Sequence, residues 1–378
     1  MRCLRQNTWI VAILLFLFGC DQAPSITPSG NTIKIGIIAP FSGSAFSKGE
    51  DGLRGIRTAI AMRPLLNNGD KVELVLKDDQ NDPAMAVQAL AELTQTDQVA
   101  AVVTLSSSGP LLSMTKRANT YQTPIVAVLA THPDVTKESD YVSQICFDNI
   151  FQGHVAAFFV RDDLLLDRVA IFRTPTSFYS SNLAAEFESQ FTALGGIITD
   201  VRDIQEGEND LADTLALVME KGPELLYMPL GAKEVIAIMK AVNEMGWDPR
   251  EMASDGLLAT VFLQYKQHLH LLEGLLSTDF FHYRSAETEF GKLAKKRHKG
   301  KATSYTAMGV EGFSILLDAM NRCENPRDRD CINRKIRSTT GFEGLMGKIT
   351  IDAKGKAHRP VIINAIENSR LKYVVKVY

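Results

Sequence analysis

The amino-acid sequence predicts an α/β fold built from two Rossmann-like, doubly wound domains. Short β-branched runs alternate with segments of helical periodicity, which indicates parallel sheets joined by right-handed crossovers. This alternation covers residues 33–128, breaks, and restarts near residue 152. The length of 378 residues is enough for two domains of ordinary size.

The first series predicts four strands and three helices. Asp82 is the predicted N-cap of the second helix, because Pro83 follows it at the first helical position and apolar residues then recur at helical spacing. The strands are predicted at residues 33–38, 72–76, 99–103 and 124–128, and the other helices at residues 49–62 and 110–120.

The second series shows the same alternation. Gly195 and Gly196 end one of its helices and Gly246 ends another, since glycine favours the conformation that follows a helix. Helices are predicted at residues 152–162, 181–193, 210–220 and 234–245, and strands at residues 168–172, 197–201 and 225–229.

Residues 1–19 have the pattern of a secretory signal peptide. Arg2 and Arg5 precede an unbroken apolar run at residues 9–18, which is too short to span a bilayer core. The segment is followed by Cys20, and the Leu-Phe-Gly-Cys sequence resembles the bacterial lipobox, which implies a lipid on that cysteine. A plain signal peptide followed by a chance cysteine is the alternative.

The next residues predict how the chain is held at a membrane. Residues 20–30 are rich in Pro, Ser and Gly and are interpreted as a tether between the lipid and the fold. Asp21 resembles the signal that keeps some bacterial lipoproteins on the inner membrane. We therefore expect a periplasmic or other extracytoplasmic location, with membrane contact through the lipid anchor only.

The charge balance bears on the choice of partner. Removal of residues 1–19 changes the net charge from −3 to −5, because this segment carries two arginines and no acid. A mildly acidic chain does not favour nucleic acid as a partner. The basic run at residues 295–301 has no interleaved aromatic residues and is interpreted as a solvated helix end.

The cysteines predict one disulfide. Cys323 and Cys331 flank a polar stretch that cannot form a core, and in an oxidising compartment this spacing favours a small loop-closing bridge. Cys146 is then left as a buried thiol. Two cysteines at this spacing without nearby ligand partners do not indicate a metal site.

Ligands of doubly wound sheets bind beyond the carboxyl ends of the strands. Two such domains that face one another would line a common cleft with the loops that follow their strands. These loops are predicted at residues 40–48, 104–110, 129–133, 173–180, 230–233 and 253–257.

Sequence motifs of catalysis are absent. The chain has no Gly-x-Ser-x-Gly elbow, phosphate loop, Gly-x-Gly-x-x-Gly or His-Glu-x-x-His. His268 and His270 lack acid or cysteine partners and are interpreted as surface or structural residues. The acidic group at residues 78–82 is interpreted as helix capping and loop solvation. We expect no catalytic residue, no metal and no cofactor.

Several short segments together resemble the type I periplasmic binding proteins, specifically the branched-chain amino acid group of ABC transporter substrate-binding proteins. The resemblance covers nearly the whole mature chain and depends on the order and spacing of the segments. They are IKIGIIAPFSG at 33–43, KDDQNDP at 77–83, SSS at 106–108, ATHP at 130–133, GFEGLMG at 341–347 and ITID at 349–352.

The resemblance implies two Rossmann-like lobes joined by three hinge strands. Lobe 1 would comprise residues 31–146 and 279–354, and lobe 2 would comprise residues 147–278 and 355–378. The three crossings between the lobes are expected at residues 146–149, 277–280 and 352–356.

The resemblance also implies a set of ligand-binding residues. Ser106 aligns with a donor to a ligand carboxylate, and Ala130 and Thr131 align with the carbonyl and hydroxyl that serve the ammonium and the carboxylate. Asp255 aligns with an acidic partner of the ammonium, and Tyr179 with an aromatic residue of lobe 2 that closes the site. An unpaired buried charge would cost several kcal/mol, so a zwitterion needs both kinds of partner.

Two of these residues have an alternative structural role. Ser106 could cap the helix that begins near Pro110, and Asp255 could form an ordinary turn with Gly256.

Three residues depart from the family pattern. Lys48 stands where an aromatic or small polar residue is common, Leu129 is larger than expected, and Gly231 replaces an aromatic residue of lobe 2. These departures imply that the ligand's side chain is larger, or that it is acidic and is met by Lys48.

The function implied by the resemblance is binding and not catalysis. An amino acid or a related small polar molecule would bind to one lobe and be buried by hinge closure, and the closed protein, expected to be a monomer, would dock on an ABC permease. A lipid-anchored sensor or regulator with the same fold, acting on another envelope protein, is the alternative.

Overall fold

The computed structural model describes residues 26–208, 210–299 and 301–378. The predicted signal peptide at residues 1–19 and the predicted lipidation site Cys20 lie outside the described residues. Within the described part of the chain, no helix is both long and apolar enough to cross a membrane.

Sheet A contains five strands, all parallel, in the order β2-β1-β3-β4-β5. Its central strands are buried along their length, as expected for a parallel sheet covered by helices on both faces. The strands are β1 (Thr32–Ala39), β2 (Lys71–Asp78), β3 (Ala101–Thr104), β4 (Ile125–Ala127) and β5 (Val142–Gln144).

Sheet B contains seven strands in the order β15-β14-β10-β9-β8-β6-β7. Five of them are parallel, and β14 and β15 extend the sheet as antiparallel strands. They are β6 (Arg168–Arg173), β7 (Ile197–Asp203), β8 (Leu225–Met228), β9 (Arg250–Ala253), β10 (Leu276–Asp279), β14 (Val361–Glu367) and β15 (Arg370–Val377). A small antiparallel sheet consists of β11 (Phe342–Glu343), β12 (Lys348–Ile351) and β13 (Ala357–His358).

Helices connect the parallel strands and pack on both sheets. The first four are α1 (Phe46–Met62), α2 (Pro83–Ala91), α3 (Ser108–Tyr121) and α4 (Asn149–Phe158). The next four are α5 (Phe178–Ala193), α6 (Ala212–Glu220), α7 (Ala232–Glu244) and α8 (Leu257–Gln264), followed by α9 (Glu289–Arg297), α10 (Ser304–Asn321) and α11 (Arg329–Arg337).

The two-domain α/β prediction is confirmed, and most predicted elements lie within a few residues of the observed ones. Asp82 caps α2 by accepting hydrogen bonds from the amides of Ala84 and Met85, both at 2.9 Å. The predicted solvated helix end is also confirmed, because the run starting at Lys295 forms the last turn of α9, where cations are favourable. Strand β5, strands β9 to β15 and helices α8, α10 and α11 were not predicted.

The cysteine prediction is confirmed. Cys323 and Cys331 form a disulfide with their Cα atoms 6.0 Å apart, and this bridge links the end of α10 to α11. Cys146 is a buried free thiol.

Helices α1 and α10 pack with their backbones in contact, and glycines make this possible. A Cβ atom added at Gly55 would lie 2.1 Å from the carbonyl oxygen of Thr306, and one added at Gly309 would lie 2.2 Å from that of Gly52. The two helices therefore form one rigid unit.

A buried ion pair joins the three segments that pass between the sheets. Arg359 lies between β13 and β14 and pairs with Glu311 of α10, which is fully buried. The guanidinium also donates to the carbonyl of Ile145, beyond β5, at 3.3 Å, and to that of Phe280, beyond β10, at 3.4 Å. Glu311 in turn accepts from the amide of Leu345 at 2.7 Å.

This ion pair predicts a large stability effect. Glu311→Gln keeps the shape of the side chain but leaves the Arg359 charge unpaired in the interior, so we expect the free energy of unfolding to fall by about 3 kcal/mol. Denaturant titration of both proteins measures the difference. The matched control is Glu289→Gln in the exposed pair with Lys292, expected to change stability by about 0.5 kcal/mol or less. Equal midpoints for the two variants would contradict this role of the pair.

Candidate functional site

The carboxyl ends of strands in both sheets meet at the interface between the lobes. Tyr305 of α10 donates to the carbonyl of Gly256 at 2.9 Å and lies 2.8 Å from the hydroxyl of Thr260 on α8. At the edge of the same interface, the rings of His132 and Phe178 pack edge to face with centroids 6.3 Å apart. The two lobes are therefore in contact around the predicted cleft.

The lobe 1 wall of the cleft presents two of the predicted hydroxyls. Thr131 is fully buried, and among the described residues its hydroxyl oxygen has no hydrogen-bond partner, which is costly unless a ligand supplies one. Ser106 is also fully buried, and its hydroxyl accepts from Thr104 at 2.6 Å. Ser106 does not cap α3, because the N-cap position is occupied by Ser107.

The carbonyl of Ala130 is already engaged by the protein. It accepts from Gln144 Nε2 at 2.7 Å and from the Cys146 thiol at 3.1 Å. A carbonyl oxygen has two lone pairs, so a ligand ammonium would have to displace one of these donors. The role predicted for Ala130 stays a prediction, and this geometry does not favour it.

The lobe 2 wall presents Tyr179 and Asp255 as a hydrogen-bonded pair. The Tyr179 hydroxyl lies 2.7 Å from Asp255 Oδ1 and 2.6 Å from Ser254 Oγ. We assign its proton to the carboxylate, the stronger acceptor. Gly256, with a φ of 79°, starts the turn into α8, so Asp255 also occupies the structural position that was the alternative.

The electrostatics of this wall depend on burial. Burial raises the pKa of Asp255, while hydrogen bonds from Tyr179 and Gln152 and the charge of Lys48 oppose that shift. Burial, followed by the charge of Asp255, raises the pKa of the Tyr179 phenol, so it remains a neutral donor.

Lys48 lies in the first turn of α1 and reaches into the same space. Its ammonium donates to the hydroxyl of Ser107 at 2.8 Å. Burial lowers the pKa of Lys48, and the charges of Asp255 and Asp79 raise it. The structure therefore places Lys48 beside Ser107 of lobe 1 and within electrostatic range of Asp255 of lobe 2.

Asp79 is a site residue that the sequence interpretation missed. The acidic group at residues 78–82 was interpreted as capping and solvation, which is wrong for this residue because it is fully buried beside Ser106. Burial raises the pKa of Asp79, against hydrogen bonds from the Ser106 hydroxyl and the Asn81 amide. A carboxyl group thus lies directly behind the predicted hydroxyl donor.

Gln152 was also missed. It is fully buried on α4, donates to Thr278 at 2.6 Å and also lies within reach of Asp255. No local sequence signal marks it, because its partners are far away in the chain. The departures Leu129 and Gly231 occupy the hydrophobic core and the N-cap of α7 respectively.

Two α/β lobes, three connecting segments and buried polar side chains where the lobes meet define a type I binding-protein architecture. The family model described as periplasmic binding protein matches residues 32–369, and the chain belongs to this family. The family and its structural neighbours are substrate-binding proteins and not enzymes, and membership implies an extracytoplasmic location.

Relatives and a solved structure agree with this assignment. A Leu/Ile/Val-binding protein homolog 2 of Brucella abortus (strain 2308) is 24% identical, with 85% of this chain and 87% of the relative covered. The Leu/Ile/Val-binding protein BraC3 of Rhizobium johnstonii is 28% identical, with 85% and 88% covered. The leucine binding protein LivK of Thermotoga maritima MSB8 superposes with a TM-score of 0.84 at 28% identity, covering 91% of this chain and 98% of that one.

Asp279, the last residue of β10, is a buried acid behind the cleft. Burial raises its pKa to about 7, with the nearby charge of Asp255 acting in the same direction. Hydrogen bonds from the Phe280 amide, at 2.8 Å, and from Ser304 and Asn364 oppose the shift. The folded protein therefore holds a proton here that the unfolded chain releases near pH 4.

The raised pKa of Asp279 makes the stability of the fold depend on pH. Because the folded pKa lies above the unfolded one, the stability that this group contributes is complete below about pH 4 and is lost as the pH rises through about 7. Relative to Asp279→Asn, the wild type should lose stability over this window, by at most about 4 kcal/mol. Denaturant titrations at several pH values measure this difference.

The control for this prediction is Asp200→Asn. Burial opposes the shift, but ion pairs with Lys221 and Arg202 lower the pKa of Asp200, so its contribution stays constant over the same window. A difference between wild type and Asp279→Asn that does not change with pH would contradict a raised pKa at Asp279.

Proposed function

We propose that this protein is a lipid-anchored, extracytoplasmic solute-binding protein that captures an amino acid or a related small polar molecule for an ABC importer. The observation that carries the proposal is the buried hydroxyl of Thr131 in lobe 1, which has no hydrogen-bond partner among the described residues, together with the carboxylate of Asp255 in lobe 2. A hydroxyl donor and a carboxylate acceptor suit the two ends of a zwitterion.

Hinge closure is the proposed mechanism. The ligand binds first to lobe 1, residues 31–146 and 279–354, and rotation of lobe 2, residues 147–278 and 355–378, then brings Tyr179 and Asp255 over it. The hydrogen bond between Tyr305 of α10 and Gly256 of lobe 2 is an interaction that closure would form.

The site residues are assigned proposed roles. Thr131 donates to the ligand carboxylate, Asp255 accepts from the ammonium, and Tyr179 fixes the Asp255 carboxylate and closes the cleft. Ser106 can join Thr131 in this role only by turning its single proton away from Asp79. Hydroxyls on rigid strand ends are suited to this purpose because their positions change little on binding.

We propose transport by an ABC permease because of the proteins that this chain resembles. Its relatives are named as Leu/Ile/Val-binding proteins, and a protein of similar structure, LivJ of Streptococcus pneumoniae, is a branched-chain amino acid transporter substrate binding protein solved in complex with isoleucine. A lipid on Cys20, after removal of residues 1–19, would keep the monomer close to its permease. The permease would provide the energy, and this protein the selectivity.

Ligand binding predicts a thermal shift. The purified mature protein should melt at a higher temperature with leucine, isoleucine or valine, since a ligand at 100 times its Kd stabilises the native state by about 2.7 kcal/mol.

Thr131→Val keeps the side-chain shape and should weaken binding about 10- to 100-fold, because it removes a hydrogen bond to a charged group.

The control is Thr120→Val at an exposed position of α3, which should leave affinity unchanged. Isothermal titration calorimetry on the three proteins measures the affinities. Equal affinity of wild type and Thr131→Val would contradict the carboxylate site, and no shift with any amino acid would contradict amino-acid capture.

A further inference from the structure

Lys48 is a cation at a position that stability alone does not favour. It lies in the first turn of α1, where the helix dipole disfavours positive charge, and this turn contains no acid. Burial further lowers the pKa of its ammonium, which means that the charged form is destabilised in the cleft. A positive charge kept under these conditions needs an anion nearby.

The protein supplies that anion only at a distance. The direct partner of the Lys48 ammonium is the Ser107 hydroxyl, which uses one of its three hydrogens. Asp255 and Asp79 interact with it through their charges, but among the described residues neither forms an ion-pair contact with it. Two ammonium hydrogens therefore remain for a group that enters the cleft.

The position of Lys48 identifies which end of a ligand it would meet. Ser107 is the N-cap of α3 and is adjacent to Ser106, so the ammonium is held at the hydroxyl end of the cleft. The helix amides at this end also favour an anion. Thr131, with its unpartnered hydroxyl, belongs to the same wall.

The hydroxyls alone are a poor carboxylate site in this protein. The Ser106 hydroxyl accepts from Thr104 and also lies against the buried carboxyl of Asp79. When Asp79 is ionised, its negative charge repels a ligand carboxylate placed at Ser106. A cation between the two carboxylates removes this repulsion.

We propose that Lys48 is the charged half of the carboxylate subsite, so that the ligand's carboxylate binds to its ammonium and to the Thr131 hydroxyl. This inference rests on the proposed amino-acid binding. The cleft then has a cation at one end and Asp255 at the other, which matches a zwitterion of zero net charge. Ligands whose carboxylate is replaced by an amide should bind more weakly than the corresponding amino acids.

A cycle that combines two proteins with two ligands tests this role. The affinities of L-leucine and L-leucinamide are measured by calorimetry for the wild type and for Lys48→Met, with L-glutamate as a third probe. Lys48→Met should weaken leucine about 10- to 100-fold and leave leucinamide within about twofold, because only leucine has a carboxylate to lose. Lys48→Gln serves as a second variant if Lys48→Met does not fold.

The matched control is Lys233→Met, which removes an exposed lysine from the first turn of α7 and should leave all affinities unchanged. Equal losses for leucine and leucinamide would overturn the proposal, since Lys48 would then act through the fold. Loss of glutamate binding with leucine unaffected would place Lys48 at the ligand's side chain and overturn it too. Failure of the wild type to bind any of the three would instead overturn the proposed function.

Discussion

The guanidinium of Arg359 is the constraint on which the arrangement of the two lobes depends. It contacts carbonyls in two of the crossing segments, at Ile145 and Phe280, while it belongs to the third. Such a group can be buried only if its charge is paired, and Glu311 provides the pairing from α10. Because α10 also packs against α1 through glycines, the same unit carries Lys48 and the hinge.

The cleft differs from this hinge in how its charges are paired. At the hinge the two charges are paired directly with one another, whereas in the cleft Lys48, Asp79 and Asp255 interact through their charges, with no ion-pair contact among these three described residues. Groups with shifted pKa values and open hydrogen-bonding positions are typical of functional sites. Burying these charges without direct pairing costs free energy, and a zwitterion bound between the walls would recover much of it.

Local physics explains what the sequence predicted well. The first four strands of sheet A, the Asp82 cap and the Cys323–Cys331 disulfide each depend on residues close together in the chain. Contacts between distant residues were not predictable in this way: Gln152 meets Thr278 from 126 residues away. Asp79 was misinterpreted because its neighbours are acidic and solvated, and only the packing of adjacent strands buries it. The residues on the two walls were found through family resemblance and not through periodicity.

The most direct test is a crystal structure of the mature protein with L-leucine diffused into the cleft. The account predicts the leucine carboxylate within about 3.2 Å of both Thr131 Oγ1 and Lys48 Nζ, and its ammonium at the same distance from the Asp255 carboxylate. A ligand in the reverse orientation, or bound at a place that Thr131 and Asp255 do not share, would contradict it.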